Sequence, residues 1–199
     1  ARLAEVPAWV GDLTRLEDLT LGGDNKRAVA NTELTALPAE LFQLGALKQL
    51  TLSHAAGLEK ITDILGKLTS LEHLVLGSCK QLKTLPASIM HLSRLQHLKI
   101  DQCPLQDMPC IEALTALRTL ELAVTDYALG NRTFMALSRS LPCLQQLDKL
   151  YLRGFAELNQ NGNHNPVALR AEDVLAVGRA LRAWPLPLLR DVRNESAQD

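Results

Sequence analysis

A six-residue pattern of leucines returns six times along the chain. Its form is L-x-x-L-x-L, with Ile as the last residue of one copy, and the first leucines stand 31, 24, 24, 22 and 30 residues apart. The copies are Leu16–Leu21, Leu47–Leu52, Leu71–Leu76, Leu95–Ile100, Leu117–Leu122 and Leu147–Leu152. In a β-strand the last two apolar residues of each copy share one face, and the residue between them points to the other. Each copy therefore predicts one short strand.

A second apolar pattern precedes most copies and has a period near three. One example runs through Leu85-Pro86, Ile89, Leu92 and Leu95, and this spacing suits a short helix or a 3₁₀ turn. A unit of one strand and one such turn cannot bury its apolar face alone, so stacked units are expected to share a continuous core. The sequence predicts an α/β solenoid with one parallel sheet.

The regular spacing breaks at three places. A polar stretch near Gly22–Arg27 reads as a loop, and the unit between Val124 and Leu147 carries apolar residues at helical spacing from Phe134 to Leu144, which predicts a lengthened convex helix. After Leu158 the repeat fades, and a capping helix is expected from about residue 170 to 183. The predicted organisation is therefore repeats in residues 1–158, starting inside a repeat, followed by a cap helix and tail in 159–199.

These patterns resemble the leucine-rich repeat family over residues 3–158. The resemblance implies a horseshoe with a concave parallel sheet, short convex helices or 3₁₀ turns, and a C-terminal capping helix. In the family an Asn or Cys three residues after the last leucine bonds the turn backbone as a structural ladder. Cys79, Cys103 and Thr125 stand at that position here, and we expect them to form the ladder. Cys110 and Cys143 are expected to be buried or half-buried.

Composition excludes several classes of protein. The chain holds 42 leucines, and its 21 basic and 22 acidic residues leave a net charge of −1, so no basic excess points to nucleic acid. No apolar run has the length that a membrane helix requires. Four cysteines in 199 residues, without a C-x-x-C pair, give no disulfide scaffold and no zinc or redox motif.

No catalytic, phosphate-binding or metal-binding motif is visible. The sequence therefore predicts no enzyme, no cofactor and no metal, with any catalytic domain outside this chain. His73 and His97 share one repeat position, so they are expected to stack on the concave face, where sharing a metal or a pH-sensitive contact remains the alternative to two solvated histidines.

The concave face is the best candidate for function, because its side chains have no other structural task. We expect it to bind a protein partner, with the chain itself a monomer. The predicted binding residues are Gln49, His73, His97, Lys99, Asp101, Arg118, Glu121, Lys149, Tyr151 and Arg153.

The residues of the central repeats indicate which groups of leucine-rich repeat proteins this chain resembles. Leu71–Cys79 leads into Leu82–Pro86, and the next unit repeats this through Asp101–Leu105. This is similar to repeats of plant intracellular immune receptors, and equally to those of type III effectors of plant-pathogenic bacteria. The chain is rich in Ala (23) and Arg (13) but poor in Lys (8), which favours a bacterial gene.

The resemblance implies the host-protein-binding domain of a type III effector. The alternatives are the ligand-sensing domain of a plant-type immune receptor and an effector fragment with its own ubiquitin-ligase activity. Because the Cys-rich caps of extracellular relatives are lacking, an intracellular setting is expected. An effector would be secreted by the bacterium and would act in the host cytoplasm.

Overall fold

The computed structural model describes residues 5–22, 34–123, 137, 139–153 and 191–193, with the backbone alone for residues 152, 153 and 191–193. Within these residues seven strands form one parallel sheet in the order of the sequence. The strands are β1 (Asp18–Gly22), β2 (Gln49–Ser53), β3 (His73–Gly77), β4 (His97–Asp101), β5 (Thr119–Ala123), β6 (Lys149–Arg153) and β7 (Asp191–Arg193). The first six coincide with the six leucine patterns, so the predicted solenoid with its parallel sheet is confirmed.

The register of the sheet aligns equivalent leucines of successive coils. Leu50, Leu74, Leu98 and Leu120 are Cα partners in turn, and all four are fully buried. Each buried leucine side chain stabilises the fold by about 1.5–3 kcal/mol relative to an exposed one. The leucines of all the coils therefore form one continuous core along the sheet.

The convex side of the described chain is built from short 3₁₀ helices. They are η1 (Ala8–Asp12), η2 (Ala39–Gln43), η3 (Asp63–Lys67), η4 (Ala87–His91) and η5 (Leu141–Cys143). Pro7, Pro38 and Pro86 precede the first, second and fourth with φ of −62°, −68° and −67°. Proline fixes φ at this value, so it prepares the chain to enter the turn. The predicted 3₁₀ turns are confirmed.

The coil between β4 and β5 differs from its neighbours, because no 3₁₀ helix forms in it. Only one residue lies between Pro109 and Ile111, whereas two lie between Pro86 and Ile89, so the segment is too short for the same turn. The backbone N–H of Ile111 instead donates to the buried hydroxyl of Ser140 at 3.4 Å. A side chain of the next coil thus replaces the missing turn.

The strand β7 was not predicted from the sequence. It pairs with β6 in parallel, with Val192 opposite Leu150. Leu137, Arg139 and Ser140 are helical, within the region where the longer helix was expected. The loop at 23–27, most of that helix and the capping helix lie outside the described residues, and the division at residue 158 stays a prediction. No described helix has the length and apolar character needed to cross a membrane.

The two ladder cysteines lie in the core between coils. The thiol of Cys79 donates to the carbonyl of Leu52 at 3.6 Å, and that of Cys103 donates to the carbonyl of Leu76 at 3.7 Å. The hydrogen bond to Cys79 and burial raise the pKa of the Cys103 thiol, so it stays protonated at neutral pH. Thr125 lies outside the described residues.

All four cysteines are free thiols. The expectation that Cys110 and Cys143 are buried or half-buried is wrong, because both are exposed. The residues that follow them, Ile111 and Leu144, are fully buried instead.

Candidate functional site on the concave face

The concave face consists of the strand residues that alternate with the buried leucines. In β2, β3, β4 and β5 every such residue is half-buried. Parallel sheets are normally covered on both faces, yet the side chains on this face remain partly exposed in all four strands. Within the described residues the sheet thus presents an open face with fixed spacing between its side chains.

The parallel register arranges the predicted residues in columns across the strands. Gln49, His73 and His97 follow one another as Cα partners, and Lys149 continues that column beyond Thr119. Lys99, Glu121 and Tyr151 form a second column. Asp101, Ala123 and Arg153 form a third at the ends of the strands, where only the backbone of Arg153 is described.

Glu121 connects the first two columns. Its carboxylate lies 2.9 Å from Nζ of Lys99 and 3.6 Å from Nε2 of His97. The side chains of Glu121 and His97 are each 26% exposed. An ion pair this open to water contributes at most about 1 kcal/mol to stability, so its main effect is to hold the three side chains in place.

His73 and His97 stack with ring centroids 5.7 Å apart and an interplanar angle of 30°. Burial lowers the pKa of His97, and the nearby charges of His73, Lys99 and Lys149 lower it further, while Glu121 opposes them. His97 is therefore neutral at pH 7. Within the described residues no group of three or more His, Cys, Asp or Glu is arranged to hold a metal ion.

Arg118 lies one residue before β5, at the edge where the strands begin. It is exposed, and its guanidinium lies 3.6 Å from the carboxylate of Asp148 on the next coil. Lys48 pairs with Glu17 in the same row at 2.9 Å, and this hydrogen bond and charge raise the pKa of Lys48. Arg118 is thus part of a charged row beside the concave columns.

Two features of this face were not predicted from the sequence. Glu121 and Lys99 occupy the same repeat position with opposite charge, so their pairing could have been predicted from the register. Ala123 was not predicted, because a small residue gives no chemical signal of its own. It nevertheless lines the same cleft as Asp101 and Tyr151.

Comparison with known proteins gives relatives in Arabidopsis thaliana, two of which are named disease resistance proteins. "Disease resistance protein RPP5" of Arabidopsis thaliana is 43% identical over 60 residues, which is 30% of this chain and 4% of that protein. "Protein SUPPRESSOR OF npr1-1, CONSTITUTIVE 1" of the same plant is 42% identical over 135 residues, 61% of this chain and 9% of that protein. The chain therefore spans less than a tenth of these relatives.

Solved structures agree on the fold. The leucine-rich repeat domain of the type III effector XopL superposes with a TM-score of 0.57 at 22% identity, over 77% of this chain and 49% of that one. The ectodomain of the Arabidopsis thaliana membrane receptor kinase GASSHO1/SCHENGEN3, solved in complex with CASPARIAN STRIP INTEGRITY FACTOR 2, gives 0.51 at 24%, over 75% and 17%. At these identities the likeness shows the fold alone.

A family model described as a leucine-rich repeat region matches residues 28–187. This match covers most of the chain and includes five of the six leucine patterns, and it agrees with the sheet, the 3₁₀ turns and the continuous leucine core. The chain belongs to the leucine-rich repeat family.

Proposed function

We propose that this chain is a target-recognition module that binds a protein partner on its concave face. Leucine-rich repeat domains are in general protein-interaction modules and are typically not catalytic. The observation that carries the proposal is the open face of a parallel sheet, where polar and charged side chains stand in fixed columns. A rigid array needs little ordering on binding, which favours affinity.

The chemistry of the face suits a mixed-charge protein surface. Within the described columns, Asp18 and Gln49 lie toward one end, the histidines lie in the middle, and Lys149 and Tyr151 lie toward the other end. Tyrosine is enriched among residues that dominate binding energy. The partner surface is therefore expected to contact the half of the face between β3 and β6 most closely.

Two biological settings are compatible with this activity. The first is the host-protein-binding domain of a type III effector, delivered into the cytoplasm of a plant cell, which the Ala-rich and Lys-poor composition supports. The second is the sensing domain of a plant immune receptor, which the 43% identity over 60 residues to a disease resistance protein supports. We propose the effector setting first, in which the face recognises a protein of the plant cell.

The test of the concave face is a charge-reversal variant. Lys99→Glu, Glu121→Lys and Arg153→Glu are combined, and the chain is used to capture proteins from plant extract, with captured proteins identified by mass spectrometry. We expect the protein most enriched on the wild-type chain to be lost from the variant. Circular dichroism and thermal melting verify that the fold is retained.

The matched control carries Lys67→Glu, Arg94→Glu and Glu112→Lys, which are exposed residues outside the concave columns. This set has the same net charge change as the test variant. Capture should survive in the control. Equal capture by all three proteins, or loss in the control alone, would refute the assignment of the concave face.

The alternative of intrinsic ubiquitin-ligase activity is tested separately. The chain is incubated with ubiquitin-activating and ubiquitin-conjugating enzymes, and self-modification is followed by immunoblot. We expect no self-modification, in keeping with a module that recognises rather than modifies its target.

A further inference from the structure

A cleft lies at the ends of β4 and β5, beside the Lys99–Glu121 pair. Its cavity of about 100 Å³ is lined by Asp101, Ala123 and Tyr151 of the concave face. Ile100 and Leu122, which are 3% and 4% exposed, also line it. A cleft of this size suits the head group of one side chain.

The cleft exists because Ala123 is small. Ala123 lies on β5, and its Cα partners are Asp101 on β4 and Arg153 on β6. Ala123 contributes only a methyl group to the lining, so a large residue at this position would fill the space beside Asp101 and Tyr151.

The residues that line the cleft carry one more negative charge than positive charge. Lys99, Asp101 and Glu121 all line it, which gives a net charge of −1. The ammonium of Lys99 is paired with Glu121 at 2.9 Å. The backbone carbonyl of Asp101 accepts bonds from Ser78 and Cys103, whereas its carboxylate is paired with none of the described side chains.

From this arrangement we propose that the cleft is a subsite for an arginine side chain of the protein partner, held by the carboxylate of Asp101 and the ring of Tyr151. The proposal rests on the proposed function and names the chemistry of the partner at one point. A guanidinium is planar, stacks on aromatic rings and pairs with carboxylates through two N–H groups. Lysine lacks the planar geometry, and an acidic side chain would face the uncompensated carboxylate.

The direct test uses blocked arginine, N-acetyl-L-arginine amide, as the probe in an NMR titration of the ¹⁵N-labelled chain. Blocked citrulline is the matched control, because it has nearly the same shape without the charge. We expect saturable shifts at the amides of Asp101, Glu121, Ala123 and Tyr151, with citrulline and blocked lysine weaker by on the order of fivefold or more. Equal affinity for arginine and citrulline, or for arginine and lysine, would overturn the proposal.

Three variants locate the probe. Asp101→Asn should weaken arginine binding by on the order of fivefold, and Ala123→Leu should abolish it, with the melting temperature as a control of the fold. Glu112→Gln is the matched control, because it removes an exposed carboxylate outside the concave columns, and it should leave arginine binding unchanged. Unchanged affinity in Asp101→Asn, or an equal loss in Glu112→Gln, contradicts the subsite.

The subsite and the proposed function fail in different ways. If the charge-reversal variant loses the captured partner while Asp101→Asn and Ala123→Leu retain it at full affinity, the concave face stands and the arginine subsite is wrong. If blocked arginine binds in the cleft while the charge-reversal variant still captures the partner, the cleft takes a guanidinium, but the partner does not bind through the concave face and the proposed function is wrong.

Discussion

His97 stands in the middle of the concave face with its ring against that of His73, and its burial gives the face a pH-dependent stability. Its native pKa lies below the ordinary value of 6.5. Above pH 6.5 the imidazole is neutral in both the native and unfolded states. As the pH falls below 6.5, the unfolded state takes up the proton first, so the free energy of unfolding decreases until the native pKa is reached.

The prediction is that His97→Gln flattens this pH dependence. Urea unfolding measured between pH 7.5 and 5 should show a wild-type stability that falls on the acid side, and a variant stability that falls less. His91→Gln on the exposed convex side is the control and should retain the wild-type slope. A stability difference between wild type and His97→Gln that does not change with pH would contradict the prediction.

Ser78 occupies a backbone conformation that glycine adopts more easily. His54, Ser78 and Gln102 follow β2, β3 and β4 with φ of 58°, 52° and 53°, so the left-handed turn belongs to the repeat. The turn is maintained because the N–H of Ser78 donates to the carbonyl of Asp101 on the next strand at 2.8 Å. Side chains with a Cβ are strained in this region.

We therefore expect Ser78→Gly to raise the free energy of unfolding by about 0.5–1 kcal/mol. Ser78→Val should lower it by about 1–3 kcal/mol, because β-branched residues are least compatible with positive φ. Chemical denaturation of both variants measures the difference. If Ser78→Gly is less stable than Ser78→Val, the left-handed turn does not determine which residue is favoured at position 78.

At the scale of elements, the contact between β1 and β2 depends on Gly22. Its φ is +128°, and a Cβ added there would lie 1.6 Å from the backbone carbonyl of Ser53. Gly22→Ala should therefore destabilise the chain by about 2 kcal/mol or more. Gly45→Ala is the matched control, because nothing lies within 4 Å of its added Cβ, and its effect should stay within about 0.5 kcal/mol.

Urea unfolding gives both free energies. Amide hydrogen exchange identifies which strands are destabilised, because coils of a solenoid contact mainly their neighbours. Faster exchange should be confined to β1 and β2 in Gly22→Ala. If Gly22→Ala has the same free energy of unfolding as the wild type, the close approach to Ser53 does not constrain the sheet.

The strands were predictable because each required only a local pattern. Two leucines two residues apart, as in Leu74 and Leu76, identify a buried strand face whatever surrounds them. The register followed from the same pattern, since equal repeat positions lie side by side. This is why the stacking of His73 on His97, and the columns of the concave face, could be anticipated residue by residue.

Other elements depended on information that the pattern lacks. β7 was missed because its copy runs from Leu189 to Asn194, with Asn in place of the last leucine, and begins 42 residues after Leu147. The absence of a 3₁₀ turn near Ile111 follows from a single deleted residue and a partner on the next coil. The cleft over Ala123 needed three strands in place, so no single segment could reveal it.

In the whole molecule, the core and the proposed recognition surface consist of different residues. The leucines face one another across the coils and form a single core, while the residues between them are partly exposed on the concave face. The proposed function therefore predicts that partner choice can change at Lys99, Asp101 or Glu121 without a change of fold. The central claim is that a protein partner occupies this face.

The most direct measurement places a photo-crosslinking residue, p-benzoylphenylalanine, at Val75 in the middle of the concave face and, separately, at Met90 on the convex side. Val75 lies between Thr51 and Lys99 in the second column, and Met90 is 43% exposed in η4. Each chain is irradiated with the protein captured from plant extract. We expect a covalent adduct from position 75 and none from position 90. An adduct from position 90 with none from position 75 would contradict the central claim.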